Sequence, residues 1–198
     1  MTTASSPADQ ICAIVLSGGE GRRFQRQDKG LIVWDNATLI EHVIHRLAGQ
    51  VDRILISCNR NIGRYRNLGF SLFTDNHNGA FLGPLAGVQS ARKAIAHPWC
   101  LICPNDVPRL PRDMATRLLS ACLSNHAEVA YPVCGERFHY LPALVKTELL
   151  TTIDDYLAEG GRSLKHWYQR FNVTTVDFSS ESSAFANINS PVELAGLD

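Results

Sequence analysis

A glycine-rich, basic loop that directly follows an apolar segment is the part of this sequence best suited to chemistry. The apolar residues Ile11–Leu16 lead through Ser17 into a loop that contains three glycines and several cations: Gly18, Gly19, Gly21, Arg22, Arg23, Arg26 and Lys29. Glycine lets backbone N–H groups approach an anion closely, and arginine and lysine balance the charge of that anion. The carboxyl end of the first strand is where phosphate-bearing ligands bind in open α/β sheets. The loop therefore predicts a nucleoside triphosphate site, with a solvated basic turn as the alternative.

Two familiar glycine loops do not fit this pattern. A dinucleotide-binding loop requires a third glycine three positions after Gly21, where this chain has Phe24. A Walker loop requires Gly-Lys followed by Ser or Thr, whereas here Lys29 precedes Gly30 and Leu31. An NAD-dependent oxidoreductase and a P-loop NTPase are both disfavoured.

Asp106 is the second candidate for chemistry. It lies in the turn Pro104-Asn105-Asp106-Val107-Pro108, just after an apolar segment that is predicted to be a buried strand. A carboxylate at that place reaches the crevice in which α/β proteins bind ligands, and magnesium is commonly held by one or two carboxylates together with substrate phosphates. The alternative is a turn-forming aspartate whose side chain caps the backbone.

The size and charge of the chain favour a globular domain. It has 198 residues, 45% of them hydrophobic and 19% charged, and its 19 basic residues balance 19 acidic ones. This balance gives no reason to expect binding to nucleic acid or membranes. No apolar run reaches the roughly 20 residues that span a bilayer. Residues 1–10 lack the features of a signal peptide, so we expect a flexible N-terminal tail on a cytoplasmic protein.

Strand-like and helix-like segments alternate, which predicts βαβ units and a mostly parallel sheet. We expect strands at residues 11–16, 53–58, 70–73, 99–103, 129–133, 138–145, 173–178 and 184–188. We expect helices at residues 38–49, 85–96, 112–123, 147–158 and 164–171, and a last one after Ser190. No repeat or linker divides the chain, so the expected fold class is α/β, with a single three-layer αβα domain.

The pair Cys100 and Cys103 raises the alternative of a redox or zinc site. An odd separation along the predicted strand places the two thiols on opposite faces. No second Cys-x-x-Cys pair and no histidine at zinc-finger spacing accompanies them. We therefore expect all six cysteines to be ordinary reduced residues.

The loop and three later segments together resemble a known family. The pattern L-S-G-G-x-G-x-R-x(4)-D-K-G-L, which begins at Leu16, is similar to the signature of molybdenum cofactor guanylyltransferases, members of the nucleotide-diphospho-sugar transferase-like superfamily. The segments GPLAG from Gly83, CPNDVP from Cys103 and NINSPVEL from Asn187 match in the same order. The lysine loop alone is shared with cytidylyl- and uridylyltransferases. The other segments make the resemblance more specific.

This resemblance implies a Rossmann-like, mostly parallel sheet and a guanylyltransferase domain over residues 11–198. It also implies transfer of GMP from MgGTP to molybdopterin or the molybdenum cofactor, with release of pyrophosphate. The implied partners are GTP, the pterin substrate, other proteins of molybdenum cofactor biosynthesis and acceptor molybdoenzymes. The open alternative is a cytidylyl- or uridylyltransferase acting on a pterin or sugar phosphate. A nucleotide-binding regulator or chaperone would leave Asp106 without a chemical task.

The resemblance assigns roles to individual residues. It makes Asp106 the Mg²⁺ ligand and, together with Lys29 and Arg23, a catalytic group. The residues implied to bind the nucleotide are Leu16, Ser17, Gly18, Gly19, Lys29, Asn59, Asp75 and Asp106. Asn59 and Asp75 offer oxygens that can accept the N–H groups of guanine, although a helix cap and a turn are the alternatives.

Asn187 and Asn189 are expected to alternate along the last strand and to face the metal or the pterin, with an ordinary turn as the alternative. One departure concerns Gln25 and Arg26, which replace two glycines of the usual family loop. If either glycine has a positive φ in the family, this loop must follow another path or accept strain.

Overall fold

The computed structural model describes residues 6–17, 28–75 and 83–188. Within these residues the main sheet has eight strands. They are β1 (Ile11–Leu16), β4 (Arg53–Ser57), β5 (Ser71–Phe73), β6 (Trp99–Pro104), β7 (Val129–Cys134), β8 (Arg137–Phe138), β9 (Ala143–Lys146) and β10 (Val173–Asp177). A small antiparallel hairpin, not predicted from the sequence, is formed by β2 (Val33–Trp34) and β3 (Ala37–Thr38).

Six α-helices connect the strands of the described chain. They are α1 (Leu39–Leu47), α2 (Ile62–Arg66), α3 (Pro84–Ala91), α4 (Met114–Ser124), α5 (Ile153–Ala158) and α6 (Leu164–Tyr168). The predicted capping box at the start of α1 is present, with Thr38 and Glu41 satisfying each other's backbone groups. Pro84 occupies the first turn of α3, where its missing N–H costs nothing.

The order of the main sheet is β10-β7-β9-β6-β1-β4-β5, with β8 paired to β7. The pairs of β1 with β4 and β6, of β4 with β5, and of β7 with β10 are parallel, whereas β9 and β8 run against their neighbours. The mostly parallel α/β sheet predicted from the alternating pattern is confirmed.

The sheet separates two apolar layers, which makes the fold a three-layer αβα sandwich. On one side Ala13 and Val15 of β1 pack with residues of α1 and α4. On the other side Cys12 and Ile14 pack with residues of α3, α5 and α6. Because successive side chains of a strand point to opposite faces, a strand buried on both sides must be apolar throughout, as β1 is.

Two predictions about strands were wrong. The expected strand 138–145 is interrupted between β8 and β9, where Pro142 has no N–H to donate to a ladder. The expected strand 184–188 is absent, because Ser179–Phe185 form a 3-10 helix that buries Phe178 and Phe185 in the core. The helix expected after Ser190 lies outside the described residues.

The predicted N-terminal tail, residues 1–10, is only partly covered by the description. Ala8–Gln10 form a 3-10 turn, and the Asp52 backbone N–H donates to the Ala8 carbonyl oxygen at 3.1 Å. The boundary at residue 10 stays a prediction. No helix among the described residues is long and apolar enough to cross a membrane.

Candidate active site

The carboxyl ends of β1, β4 and β6 meet at one edge of the sheet. Ser17, Ser57 and Asp106 lie at or just beyond these strand ends, and the Ser17 backbone N–H donates to the Ser57 carbonyl oxygen at 2.7 Å. In the sheet, β4 lies on one side of β1 and β6 lies on the other. The chain therefore crosses from one side of β1 to the other between β4 and β6. This arrangement opens the crevice in which α/β proteins bind ligands.

Lys29 and Asp106 form an ion pair at this edge. The Nζ atom of Lys29 lies 2.5 Å from Oδ2 of Asp106, although the two residues are 77 positions apart in sequence. The two side chains are 23% and 12% exposed. A pair this well shielded from solvent acts more strongly on a charged ligand than a surface pair does. The structure thus brings together two of the residues predicted to be catalytic.

The second carboxylate oxygen of Asp106 is available to a ligand. Oδ1 is buried and has no hydrogen-bond partner among the described residues. The backbone of Asp106 is held in place, since the Ile188 N–H donates to its carbonyl oxygen at 3.0 Å. A buried oxygen without a partner is costly unless something binds it. A divalent cation suits that oxygen chemically, because magnesium prefers carboxylate ligands.

Asp28, which directly precedes Lys29, is held by two hydrogen bonds to side chains at α2. Its Oδ1 accepts a hydrogen bond from the Tyr65 hydroxyl at 2.7 Å, and its Oδ2 accepts one from Asn61 Nδ2 at 3.0 Å. Burial, followed by the hydrogen bond to Asp28, raises the pKa of Tyr65 far above its usual value, so the phenol stays a donor. Asn61 is the N-cap of α2 and Tyr65 lies within that helix, so α2 fixes the residue that precedes Lys29.

Position 30 has little room for a side chain. A Cβ atom at this position would lie 2.4 Å from Nδ2 of Asn105 and 2.7 Å from the Tyr65 hydroxyl. The 3-10 turn Lys29–Leu31 therefore packs directly against the turn that carries Asp106. This close packing explains why a glycine follows Lys29. It also keeps Lys29 within reach of Asp106.

Asn59 and Asp75, predicted to bind the base, lie side by side. Asn59 Oδ1 accepts the backbone N–H of Asp75 at 3.0 Å, so one lone pair of this oxygen already fixes the turn after β5. The structure confirms that the two positions are adjacent, and it adds a structural task for Asn59. Their contact with guanine stays a prediction.

Gly87 lets α3 approach the sheet beside the nucleotide crevice. A Cβ atom at this position would lie 2.7 Å from the Ser57 hydroxyl and 3.0 Å from Cδ2 of Leu16. Leu16, predicted to line the nucleotide pocket, thus packs on the α3 side of the sheet, and Ser17 follows it directly after the end of β1.

Asn187 is exposed and directly precedes Ile188, which binds the backbone of Asp106. It therefore lies near the ion pair, although the strand on which it was predicted to alternate is absent. The remaining predicted residues of the site lie outside the described residues: Gly18, Gly19, Arg23 and Asn189.

Sequence reasoning missed the supporting residues Asn61, Tyr65 and Asn105. A five-residue helix such as α2 gives almost no periodic signal, and the buried tyrosine hydroxyl pairs with a residue 37 positions away. Asp28 carried a signal, because it belongs to the Asp-Lys-Gly-Leu motif. Its task of anchoring the turn was not predicted.

The cysteines match the prediction of ordinary reduced residues. All six are free, and Cys100 and Cys103 belong to the apolar layers on opposite sides of the sheet. Burial raises the pKa of both thiols. Within residues 6–17, 28–75 and 83–188, no group of three or more histidine, cysteine and acidic side chains could hold a metal ion by itself.

His139 is almost fully buried, and its ring lies 5.1 Å from that of Phe185. Burial, and secondarily the Arg137 cation, lowers the pKa of His139, which keeps the imidazole neutral near pH 7.

Comparison with known proteins agrees with this geometry. A family model described as the MobA-like NTP transferase domain matches residues 13–174. A molybdenum cofactor guanylyltransferase of Shewanella sp. (strain MR-4) is 40% identical over 182 residues, covering 92% of each chain. The protein of the same name from Shewanella frigidimarina is 38% identical over 184 residues, covering 93% of each chain.

Solved structures share the fold at lower identity. Molybdopterin-guanine dinucleotide biosynthesis protein A from Archaeoglobus fulgidus superposes with a TM-score of 0.74 at 22% identity, over 93% of this chain and 95% of that one. A 2-C-methyl-D-erythritol 4-phosphate cytidylyltransferase from Thermus thermophilus gives 0.69 at 17% identity, over 92% and 94%. The fold is therefore the nucleotide-diphospho-sugar transferase type that the motifs implied. On the strength of the matched domain and of relatives that align over nearly the whole chain, this protein belongs to the MobA-like NTP transferase family and is a nucleotidyltransferase.

Proposed function

We propose that this chain transfers GMP from GTP to the terminal phosphate of molybdopterin or of the molybdenum cofactor, forming the guanine dinucleotide form and releasing pyrophosphate. The names of its relatives support this reaction. The observation that carries the proposal is the 2.5 Å ion pair between Lys29 and Asp106 at the carboxyl edge of the sheet. It places a cation for phosphate oxygens beside a carboxylate that has one oxygen without a partner among the described residues.

The reaction is a displacement at the α-phosphorus of GTP. An oxygen of the acceptor phosphate attacks this atom in line, and the bond between the α-phosphorus and the bridging oxygen to the β-phosphate breaks. Pyrophosphate leaves with the electron pair of that bond. Because the attacking phosphate is already anionic, the reaction needs positioning and charge stabilisation more than a strong base. A neutral His139 is consistent with this requirement.

The residues of the site divide this work. Lys29 neutralises charge on the triphosphate, and Arg23 is proposed to do the same from the loop. The backbone of residues 16–19 lines the nucleotide pocket. Asn59 and Asp75 contact the guanine, while Asn187 and Asn189 lie towards the metal or the pterin.

GTP-using nucleotidyltransferases generally need a divalent metal, and we propose Mg²⁺. The unpartnered Oδ1 atom of Asp106 fits such an ion. When bound, the ion would supply positive charge to the triphosphate and the leaving pyrophosphate. Asp106 would hold it, and the triphosphate would complete the ligand set.

The remaining proposals concern the surroundings of the enzyme. We propose a cytoplasmic protein whose substrates are GTP and the pterin, and which meets other cofactor-biosynthesis proteins and acceptor molybdoenzymes. Nucleic acid and membranes are not proposed as partners, since the formal net charge is zero.

Asp106→Asn tests the reaction, because it keeps the shape of the side chain and removes its charge. Pyrophosphate release with GTP, Mg²⁺ and molybdopterin should fall on the order of a hundred- to a thousandfold. Asp155→Asn, at an exposed carboxylate of α5, is the matched control and should retain full activity. Near-normal turnover of Asp106→Asn would remove this residue from the mechanism.

The nucleotide is tested separately by thermal shift with Mg²⁺ and GTP, CTP, UTP or ATP. A ligand that binds the native state raises its melting temperature. We expect the largest rise with GTP. Stabilisation by CTP alone would favour a cytidylyltransferase, in line with the fold that this chain shares with one.

A further inference from the structure

A partly exposed group of aromatic rings near the candidate active site has no task in the reaction described above. The group consists of Tyr131, Phe138 and Tyr140, here called the aromatic shelf. Phe138 is 51% exposed, one of the few large apolar side chains on the surface of the described chain. Its ring is nearly parallel to that of Tyr140, with an interplanar angle of 20° and centroids 6.3 Å apart.

Contacts among the rings and with the core hold the aromatic shelf in place. Tyr131 contacts both other rings, at centroid distances of 5.1 Å to Tyr140 and 6.4 Å to Phe138. Below it, the buried ring of Tyr168 stacks on Tyr131 at 5.9 Å, and the Tyr168 hydroxyl donates to the Tyr140 carbonyl oxygen at 3.2 Å. The ring positions are therefore fixed from the core, while Phe138 remains accessible.

Strand pairing places the shelf on one side of the sheet. Val133 of β7 pairs with Phe138 of β8, so the two side chains share a face, and Tyr131 lies two residues before Val133 on that same face. Tyr131 and Tyr140 pack against the apolar layer that contains Leu85 and Val88 of α3. The shelf thus opens on the side that carries α3.

The same pairing places the shelf next to Asp106. Strand β10 occupies one edge of β7 along Val129–Val133, so β8 and β9 must both lie along its other edge. Of these two strands, β9 is the one paired with β6, and β6 ends just before Asp106. Neighbouring strands are about 4.8 Å apart, so the chain that leads from β8 into β9 passes the end of β6 within roughly 10 Å of Asp106.

A second set of contacts also connects the aromatic shelf to Asp106. His139, between Phe138 and Tyr140, packs on Phe185, and Ile188 only three residues later binds the backbone of Asp106. Three residues of chain span at most about 10 Å.

We propose that the aromatic shelf binds the flat pterin ring system of the acceptor substrate, whose phosphate end then reaches the Lys29–Asp106 pair. This inference rests on the proposed function, since it assumes a pterin acceptor. Flat heteroaromatic rings stack on exposed aromatic side chains. A cation also lies beside the shelf, since Lys165 Nζ is 5.8 Å from the centroid of Tyr140.

The test compares Phe138→Ala with Phe138→Trp in the full-length protein. Phe138→Ala removes the accessible ring and should raise the KM for molybdopterin roughly tenfold or more, as expected for the loss of one stacking partner. The KM for GTP and the thermal shift produced by GTP should not change. Phe138→Trp keeps a flat ring and should restore acceptor binding. Leu123→Ala, at a leucine of α4 that is 56% exposed, is the matched control for loss of an exposed apolar side chain.

A direct binding measurement separates this inference from the proposed function. Molybdopterin is titrated into the protein without GTP, and binding is followed by the change in pterin fluorescence. Phe138→Ala should weaken binding to the same extent as it raises KM. If Phe138→Ala is poorly folded, Phe138→Leu keeps the apolar contact with Tyr131 and removes only the flat face.

The outcomes are distinct. If the natural protein transfers GMP to molybdopterin and Phe138→Ala binds the acceptor normally, the shelf proposal is wrong and the function stands. An equal rise in the KM values for GTP and acceptor also overturns the shelf. If the natural protein does not use molybdopterin, the proposed function itself fails.

Discussion

The Tyr65 hydroxyl donates to the carboxylate of Asp28 at 2.7 Å, one residue before the lysine that pairs with Asp106. The turn at residues 28–31, proposed to bind the nucleotide, is thereby tied to α2, an element outside the glycine-rich motif. Both oxygens of Asp28 accept a hydrogen bond, one from Tyr65 and one from Asn61, so two side chains fix the residue that precedes Lys29.

Tyr65→Phe should therefore lower activity as well as stability. It leaves a buried carboxylate oxygen without its donor, and a hydrogen bond to a charged group is worth about 1.5–3 kcal/mol. We expect the free energy of unfolding to fall by about that amount and kcat to fall roughly tenfold, because Lys29 is less well positioned. Denaturant unfolding and pyrophosphate release measure the two effects.

Tyr156→Phe is the control for Tyr65→Phe. The Tyr156 hydroxyl donates to the Ser163 carbonyl oxygen at 3.0 Å, away from Lys29. It should lose only the roughly 1 kcal/mol of a neutral hydrogen bond and keep its kcat. Equal kcat values for the two variants would show that Tyr65 does not position the turn.

Gly30→Ala should damage the site through crowding. The added methyl group would overlap Asn105 and the Tyr65 hydroxyl, and overpacking of this kind costs about 1–3 kcal/mol. We expect weaker stabilisation by GTP in a thermal-shift measurement, since the turn must move away from Asp106.

Gly63→Ala provides the matched comparison. Nothing lies within 4 Å of a Cβ at this helical position, so alanine should stabilise α2 by up to about 1 kcal/mol and leave GTP binding intact. A Gly30→Ala protein that binds GTP as well as Gly63→Ala does would contradict the packing described here.

The contact between α3 and α5 predicts an acid-dependent loss of stability. Hydrogen bonds from Arg92 and then Gln89 lower the pKa of Asp154 to about 2. A carboxyl group with a lowered pKa in the folded state stabilises that state above its unfolded value of about 3.9, and the contribution is lost as the pH falls towards 2. Because the Asp154 side chain is 46% exposed, we expect less than about 1 kcal/mol.

Unfolding of the natural protein and of Asp154→Asn in denaturant at several pH values measures this contribution. The natural protein should be the more stable one at pH 7, and the difference should shrink between about pH 4 and pH 2. A difference that stays constant over this range would show that the charge of Asp154 is not responsible.

Because most of the thiols are buried, we expect thiol-specific reagents to modify the native protein slowly. Burial raises the pKa of Cys12 and Cys58 to about 11 and that of Cys122 to about 12, so very little thiolate is present at pH 8. Cys134 is partly exposed, and a thiol-specific reagent should modify it first. Cys134→Ser should abolish the fast phase, whereas the remaining thiols should react rapidly only in denaturant.

The parts of the fold that sequence predicts best are those with strong local signals. The apolar run of β1 and the capping box of α1 predict these two elements from local sequence alone. The proximity of Lys29 and Asp106 followed from the rule that strand ends share an edge, whereas their direct ion pair was not predicted. Tyr65 could not be predicted, since a buried hydroxyl carries no sign of its distant partner. The strand expected near Asn187 failed because the packing of Phe178 and Phe185 outweighs local alternation.

The hydrogen bond from Ile188 to the carbonyl oxygen of Asp106 has a consequence for the order of assembly. During synthesis, β1, β4 and β6 can emerge and pair long before residue 188 leaves the ribosome. The turn that carries Asp106 acquires its last backbone partner only afterwards. A nascent chain would therefore hold a nearly complete sheet while the proposed metal-binding carboxylate was still unanchored, and competence for catalysis would come at the final step of folding.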